Sequence, residues 1–193
     1  MKSNLFLVID TETGGLGNQF SLLTLYIGIL NSDFSIKHEF DFKLKPNDGN
    51  YIVCGEALNI NKINLVEHDK DAITYKESGK ILGNYLYSTY TEKPEDLRNK
   101  LIPIGHNVNG DIRQIQDKII NVDNWNQWVS YRTLDTGPIG QFLKLCGKLP
   151  ENLSGSLESY AQYFGIPHQS HNAKSDALVT LSVLQNMIKL INL

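Results

Sequence analysis

The sequence predicts an α/β fold, a single mixed five-stranded sheet of strand order 3-2-1-4-5 with helices on both faces. Three observations predict it. Three strand-like segments open the chain, joined by turns. The next two strand-like segments each follow a helical stretch. Right-handed crossovers then place the fourth and fifth strands beside the first, which brings the carboxyl end of strand one to the middle of the sheet. A length of 193 residues suits one domain over residues 1–193, long enough to bury a core.

The elements follow in order. Leu5–Asp10 is a short apolar strand running into the turn Gly14-Gly15-Leu16-Gly17. Leu22–Leu30 is the second strand, and Asn31-Ser32-Asp33 supplies turn chemistry after it. Phe34–Leu44 alternates, with Phe34, Ile36, Phe40, Phe42 and Leu44 on one side and Ser35, Lys37, Glu39, Asp41 and Lys43 on the other; only His38 breaks the apolar side. Pro46–Ile73 reads as irregular apart from a short helix around Glu56–Asn59. Thr74-Tyr75-Lys76-Glu77 matches a capping box. It opens a helix to about Tyr87 that turns Ile81, Leu82, Tyr85 and Leu86 inward. Leu101–Gly105 is the fourth strand. A helix then starts near Gly110, with Asn109 as its candidate cap and Ile112, Ile115 and Ile119 at helical spacing. Ser130–Asp135 is the fifth strand. Pro138 suits the first position of a helix continued by Phe142 and Leu145. Ser156 begins another helix, with Leu157, Tyr160, Ala161 and Phe164. The last helix runs from about Ala173 to Leu190, with Ala177, Leu181, Leu184 and Ile188 on one face.

Composition narrows the function classes. No run approaches the roughly 20 apolar residues of a membrane helix. The apolar run Leu5–Ile9 is shorter than the roughly 7–15 residues of a secretory signal core, so a cytoplasmic protein is expected. Cys54 and Cys146 lie far apart without a CxxC spacing and read as two reduced thiols. A formal net charge of −3 argues against gripping nucleic acid by bulk electrostatics. It leaves room for a grip mediated by cations, which reverse the local sign.

Three segments carry the chemistry. Asp10-Thr11-Glu12 sits where strand one ends, and residues two apart in a strand share a face. Asp111 falls in the first turn of the helix after strand four. His171 stands just before the last helix, with Asn172 as its N-cap and Asp176 on the first turn. Each segment alone has a bland reading: solvated charges entering a turn, or an acid favoured by the helix dipole. Together they put four carboxylates at one sheet edge, a formal −4 that needs counter-charge. Oxygen-rich sites of this kind suit Mg²⁺ or Mn²⁺ rather than zinc. A histidine on loop backbone can move, as a proton carrier must; a carboxylate on a helix is held still, as a metal ligand should be.

These residues resemble the DnaQ-like, DEDDh family of 3′→5′ exonucleases, whose fold is ribonuclease-H-like. The first family motif is matched by Val8-Ile9-Asp10-Thr11-Glu12-Thr13-Gly14-Gly15-Leu16, the second by Gly105-His106-Asn107 with Asp111, and the third by His171, Ala173, Asp176 and Ala177. The sister class carries Tyr four residues before the final Asp; here that residue is Asn172, which fits the histidine class. Two departures stand out. Gly110 occupies a position that is commonly aromatic in the family, and Pro46–Tyr90 matches in general character only. The resemblance implies two-metal hydrolysis at the 3′ end of single-stranded nucleic acid, with DNA favoured and RNA possible, releasing 5′-mononucleotides. It implies two divalent ions, Mg²⁺ or Mn²⁺, held by Asp10, Glu12, Asp111 and Asp176, and His171 as the proton acceptor. The turn Thr13-Gly14-Gly15 would bring its amides to the terminal nucleotide, with Leu16 packing on the last base and Asn107 as a further contact.

Arg113 is a candidate phosphate contact. Trp125, Trp128 and Tyr131 could stack bases, or pack under the loop before strand five. A polymerase or a second copy of the chain is a possible partner. Only 17 residues follow Asp176, which favours a free-standing enzyme over a tethered proofreading subunit. Retention of all five chemical residues argues against a catalytically dead nucleic-acid-binding module.

Overall fold

The computed structural model describes residues 6–90 and 100–191, with the backbone alone at Tyr90. Strand β1 (Phe6–Thr13) pairs antiparallel with β2 (Leu22–Leu30), and β2 with β3 (Ile36–Lys45). Leu5, expected to begin the first strand, lies outside the described residues. On the other side β1 runs parallel to β5 (Ile102–Gly105), with Val8 beside Ile104, and β5 runs parallel to β6 (Leu134–Asp135). The expected order is therefore present across these five strands. The difference is a sixth, β4 (Ile73–Thr74), which adds parallel to the end of β3 and makes the order β4-β3-β2-β1-β5-β6.

Side-chain alternation along β1 sorts the core into two layers. Leu7 and Ile9 join β2 and β3 residues under α3 (Tyr75–Tyr90), α4 (Asn109–Lys118) and α5 (Val122–Trp128), where Leu82, Leu86, Ile115 and Trp125 are buried. Phe6 and Val8 face the opposite way, onto Ala173, Ala177, Leu181 and Leu184 of α8 (Ala173–Ile191). A third cluster ties α8 to α6 (Thr136–Leu145) and α7 (Leu157–Tyr163) through Leu143, Tyr160 and Val183. No described helix is long and apolar enough to cross a membrane.

Several expectations change in detail. The irregular stretch after β3 holds two helices, α1 (Gly55–Asn61) and the unexpected α2 (Leu65–Asp71), whose N-cap Asn64 accepts from the amides of Val66 and Glu67 at 3.0 and 3.3 Å. Strand five shrinks to two residues: α5, capped by Asn121, ends at Trp128, Val129 makes an isolated bridge to Leu101, and only Leu134 and Asp135 pair with β5. Phe34 leaves β3 for a left-handed turn at φ 65°, and Ile36 is exposed. In α3, Tyr75, Ser78, Leu82 and Leu86 form the buried stripe and leave Ile81 outside it. Val108, not Asn109, is the N-cap of α4 and makes no side-chain cap bond. Asp135 caps α6 through the Gly137 amide at 3.0 Å. Pro138 is thus the third helical residue rather than the first, still within the turn whose amides lack intrahelical partners.

Candidate active site

Asp10 and Glu12 continue the Phe6–Val8 side of β1, toward α8. The first turn of α8 meets them there. Asn172 caps that helix, its Oδ1 accepting the Ser175 amide at 3.0 Å, and so fixes the residue one turn on. That residue is Asp176. One ligand atom from each of Asp10, Glu12 and Asp176 lies within 4.8 Å of the others, all three half-buried. Among the described residues this is the one group of three acidic, histidine or cysteine side chains close enough to share an ion. An all-oxygen donor set of three carboxylates fits a hard divalent cation.

Asp111 reaches the same edge from the opposite layer, because α4 packs on the Leu7–Ile9 side. It accepts a hydrogen bond from the Thr11 hydroxyl at 2.5 Å and stands outside the group of three. The four acids still feel one another. Burial pushes the Asp10 carboxyl well above its ordinary value, and the charges of Asp111, Asp176 and Glu12 push it further. Burial, then Asp176 and Asp111, raise Glu12 to about 7. Burial raises Asp111 to about 7 against the lowering pull of the Thr11 hydrogen bond. Such carboxyls keep their protons to higher pH than free ones do, and an arriving positive charge would favour the ionised form.

Both histidines of the third segment converge on Asp176. His171 takes a left-handed backbone at φ 67°, with an exposed side chain, and its amide donates to Asp176 Oδ2 at 3.0 Å. His168, which no sequence signal marks, has a side chain largely shielded from solvent, and its Nε2 lies 2.6 Å from Asp176 Oδ1.

Beside the acids lies a cavity of about 420 Å³, lined by Glu12, Leu16, Phe20 and the α1 residues Glu56, Ala57 and Ile60, among others. Leu16 is 94% exposed at its rim. The glycines of the turn have a packing use. A Cβ on Gly14 would sit 2.6 Å from Val53 Cγ1, and one on Gly15 2.7 Å from the Phe20 ring. The Gly14 amide is already donated to the Ser21 carbonyl at 2.8 Å, and the Thr13 hydroxyl to the Gly15 carbonyl at 2.8 Å. Asn107, at φ 59°, donates its amide to Asp135 Oδ1 at 2.9 Å, and Val108 donates to Oδ2 at 3.0 Å. Buried Asp135 thus pins the loop that carries Asp111. Arg113 is exposed, Trp125 is in the core, Trp128 is packed against it, and Tyr131 is 84% exposed. The sequence reading missed Thr11, His168, Asp135 and the α1 wall. Only Asp135-Thr136, an Asp before a helix start, carried a local capping signal.

A mixed sheet flanked by helices, with acids gathered at the end of its central strand, defines the ribonuclease-H-like exonuclease architecture. Solved structures of the same fold include Escherichia coli exonuclease I with a dT13 oligonucleotide (TM-score 0.73, 17% identity, 98% of this chain and 43% of that one). A zinc-bound E. coli exonuclease I complex with single-stranded DNA gives a TM-score of 0.69 at 20% identity, covering 99% of this chain and 42% of that one. An ExoI/SSB-Ct complex gives a TM-score of 0.70 at 20% identity, covering 98% of this chain and 41% of that one. The chain therefore spans less than half the length of these structures. No curated protein matches it closely enough to count as a relative. The family described as DNA polymerase III subunit epsilon-like, C-terminal domain (DEDDh_C) matches residues 62–187, and the chain belongs to this DEDDh, DnaQ-like exonuclease family. The matched span contains Asp111, His171 and Asp176; Asp10 and Glu12 lie before it.

Proposed function

We propose that the chain is a metal-dependent 3′→5′ exonuclease that hydrolyses the terminal phosphodiester bond of single-stranded DNA and releases 5′-mononucleotides. The observation that carries this is the close approach of Asp10, Glu12 and Asp176, with Asp111 hydrogen-bonded beside them. Asp10, Glu12, Asp111 and Asp176 would hold two divalent ions, Mg²⁺ or Mn²⁺. When bound, these ions supply a hydroxide-like nucleophile and charge stabilisation at the leaving oxygen. His171 takes the proton of the attacking water. Its imidazole is free in solvent while its backbone stays tied to Asp176, and general-base help of this kind contributes about 10²–10⁴ in rate. Leu16 and the adjoining cavity receive the 3′-terminal base. DNA is favoured because the similar exonuclease I structures carry DNA; RNA is the alternative substrate.

The decisive experiment compares labelled single-stranded DNA, RNA and duplex with Mg²⁺, resolving products by size. Mononucleotides released from the 3′ end of single-stranded DNA are expected, with loss of at least a thousandfold in Asp10→Ala. An Asp10→Ala protein that degrades the oligonucleotide at wild-type rate would overturn the site. The family description also favours a second reading, an exonuclease that works on a polymerase. It predicts that a polymerase partner raises activity on a mismatched primer end more than on a free single strand.

A further inference from the structure

We propose that His168 is a positioning residue. It fixes Asp176 as a metal ligand and holds the loop that presents His171. This rests on the exonuclease reading. The side chain of His168 is 8% exposed and that of Asp176 13%, so the 2.6 Å contact between Nε2 and Oδ1 is shielded from water. His168 Nδ1 is buried and has no hydrogen-bond partner among the described residues. The ring therefore spends its one hydrogen bond on Asp176. The other oxygen, Oδ2, accepts the His171 amide at 3.0 Å. The carboxylate is gripped from two sides by two residues of one loop, three positions apart. Held in this way, Asp176 keeps a ligand atom within 4.8 Å of one on each of Asp10 and Glu12.

The same contacts separate the two histidines by role. His168 Nε2 is committed to Asp176 and Nδ1 faces the interior, so neither nitrogen is open to a water molecule in the site. The His171 ring is exposed, and its unusual φ of 67° is accompanied by the hydrogen bond that its backbone N–H donates to Asp176 Oδ2. Loss of His168 would release Asp176 Oδ1 and loosen the loop on which His171 stands. Hydrogen-bond partners that orient metal ligands typically govern metal affinity or activity by about 10–100-fold.

The test is a Mn²⁺ titration read by thermal unfolding, beside steady-state kinetics on a single-stranded oligonucleotide. In His168→Ala the Mn²⁺ concentration needed for a given rise in melting temperature should increase about 10–100-fold. Its kcat should fall at subsaturating metal while oligonucleotide KM stays within about threefold of wild type. Glutamine can place an amide N–H near the Nε2 position, so His168→Gln should recover most of the metal affinity and His168→Asn, a bond shorter, less. If His168→Ala does not fold in chelator, the Gln and Asn pair carries the comparison. A wild-type Mn²⁺ requirement in His168→Ala, or equal requirements in Gln and Asn, would overturn the proposal. So would loss of kcat at an unchanged Mn²⁺ requirement. Wild-type protein that Mn²⁺ neither stabilises nor activates would instead sink the exonuclease reading beneath it.

Discussion

At the scale of single residues, strand alternation explains both what could be read and what could not. Asp10 and Glu12 stand out because period two puts them on one side, and Asp176 because a capped helix start fixes it. The residue between the first two, Thr11, looks like filler. Its side chain faces the α4 layer instead, and there its hydroxyl meets Asp111 at 2.5 Å. Thr11→Val keeps the shape and removes the donor. We expect a 10–100-fold fall in kcat and about 1–3 kcal/mol of lost stability, since Asp111 would be left buried with one bond fewer. Thr11→Ser should keep both. Oligonucleotide turnover and urea unfolding of the two variants check this, and a Thr11→Val enzyme with wild-type kcat would remove Thr11 from the site. His168 was illegible for a related reason: it lies eight positions before Asp176, and no helix or strand period links a loop histidine to a helix start.

At the scale of elements, local chemistry was legible where a bond between near neighbours defines it. The Thr74–Glu77 box forms as read, with the Thr74 amide donating to Glu77 at 2.8 Å and the Glu77 amide to Thr74 at 3.2 Å. The short helices α2 and α5 were not legible, because seven residues make too few turns for an apolar stripe to declare itself. Strand β6 is short because only Leu134 and Asp135 come alongside β5, at Ile104 and Gly105, and pairing with distant chain is not written in its own composition. The glycine pair shows the same dependence on distant chain. From sequence it reads as a turn open to a ligand; in the fold the segment Ile52–Cys54 crosses over it, with the Cys54 amide donating to the Gly14 carbonyl at 2.7 Å. Gly14→Ala would drive a Cβ against Val53 and the Ile52 carbonyl at 2.6 and 2.7 Å. We expect it to cost about 1–3 kcal/mol as an overpacked site, and to weaken oligonucleotide binding because Cys54 and α1 form the cavity wall. Unfolding midpoint and KM should move together; an unchanged KM in a destabilised protein would detach the crossing segment from substrate binding.

At the scale of the whole molecule, a chain of net charge −3 concentrates acids at the centre of its sheet, and this sets how stability answers to pH and to metal. Glu12 rises from an ordinary 4.5 to about 7, and Asp10 and Asp111 rise with it. Between those values the folded protein holds protons that the unfolded chain has released. Stability must then fall as pH rises across that window, and flatten above it. In chelator we expect the melting temperature to drop from about pH 5 to about pH 7, with a smaller drop in Asp10→Asn/Glu12→Gln, where Asp111 alone of the three still titrates. Divalent ions bind only the ionised acids, so their effect should run the other way and grow with pH. At about a hundredfold excess over Kd, Mn²⁺ contributes about 2.7 kcal/mol, or roughly 5–10 °C for a chain of this size. The gap between the metal and chelator curves should widen across the window in which the chelator curve falls. Differential scanning fluorimetry from pH 5 to 8 measures both. Parallel curves, or a chelator slope unchanged in the double variant, would mean that the raised carboxyls do not govern the fold's response to pH.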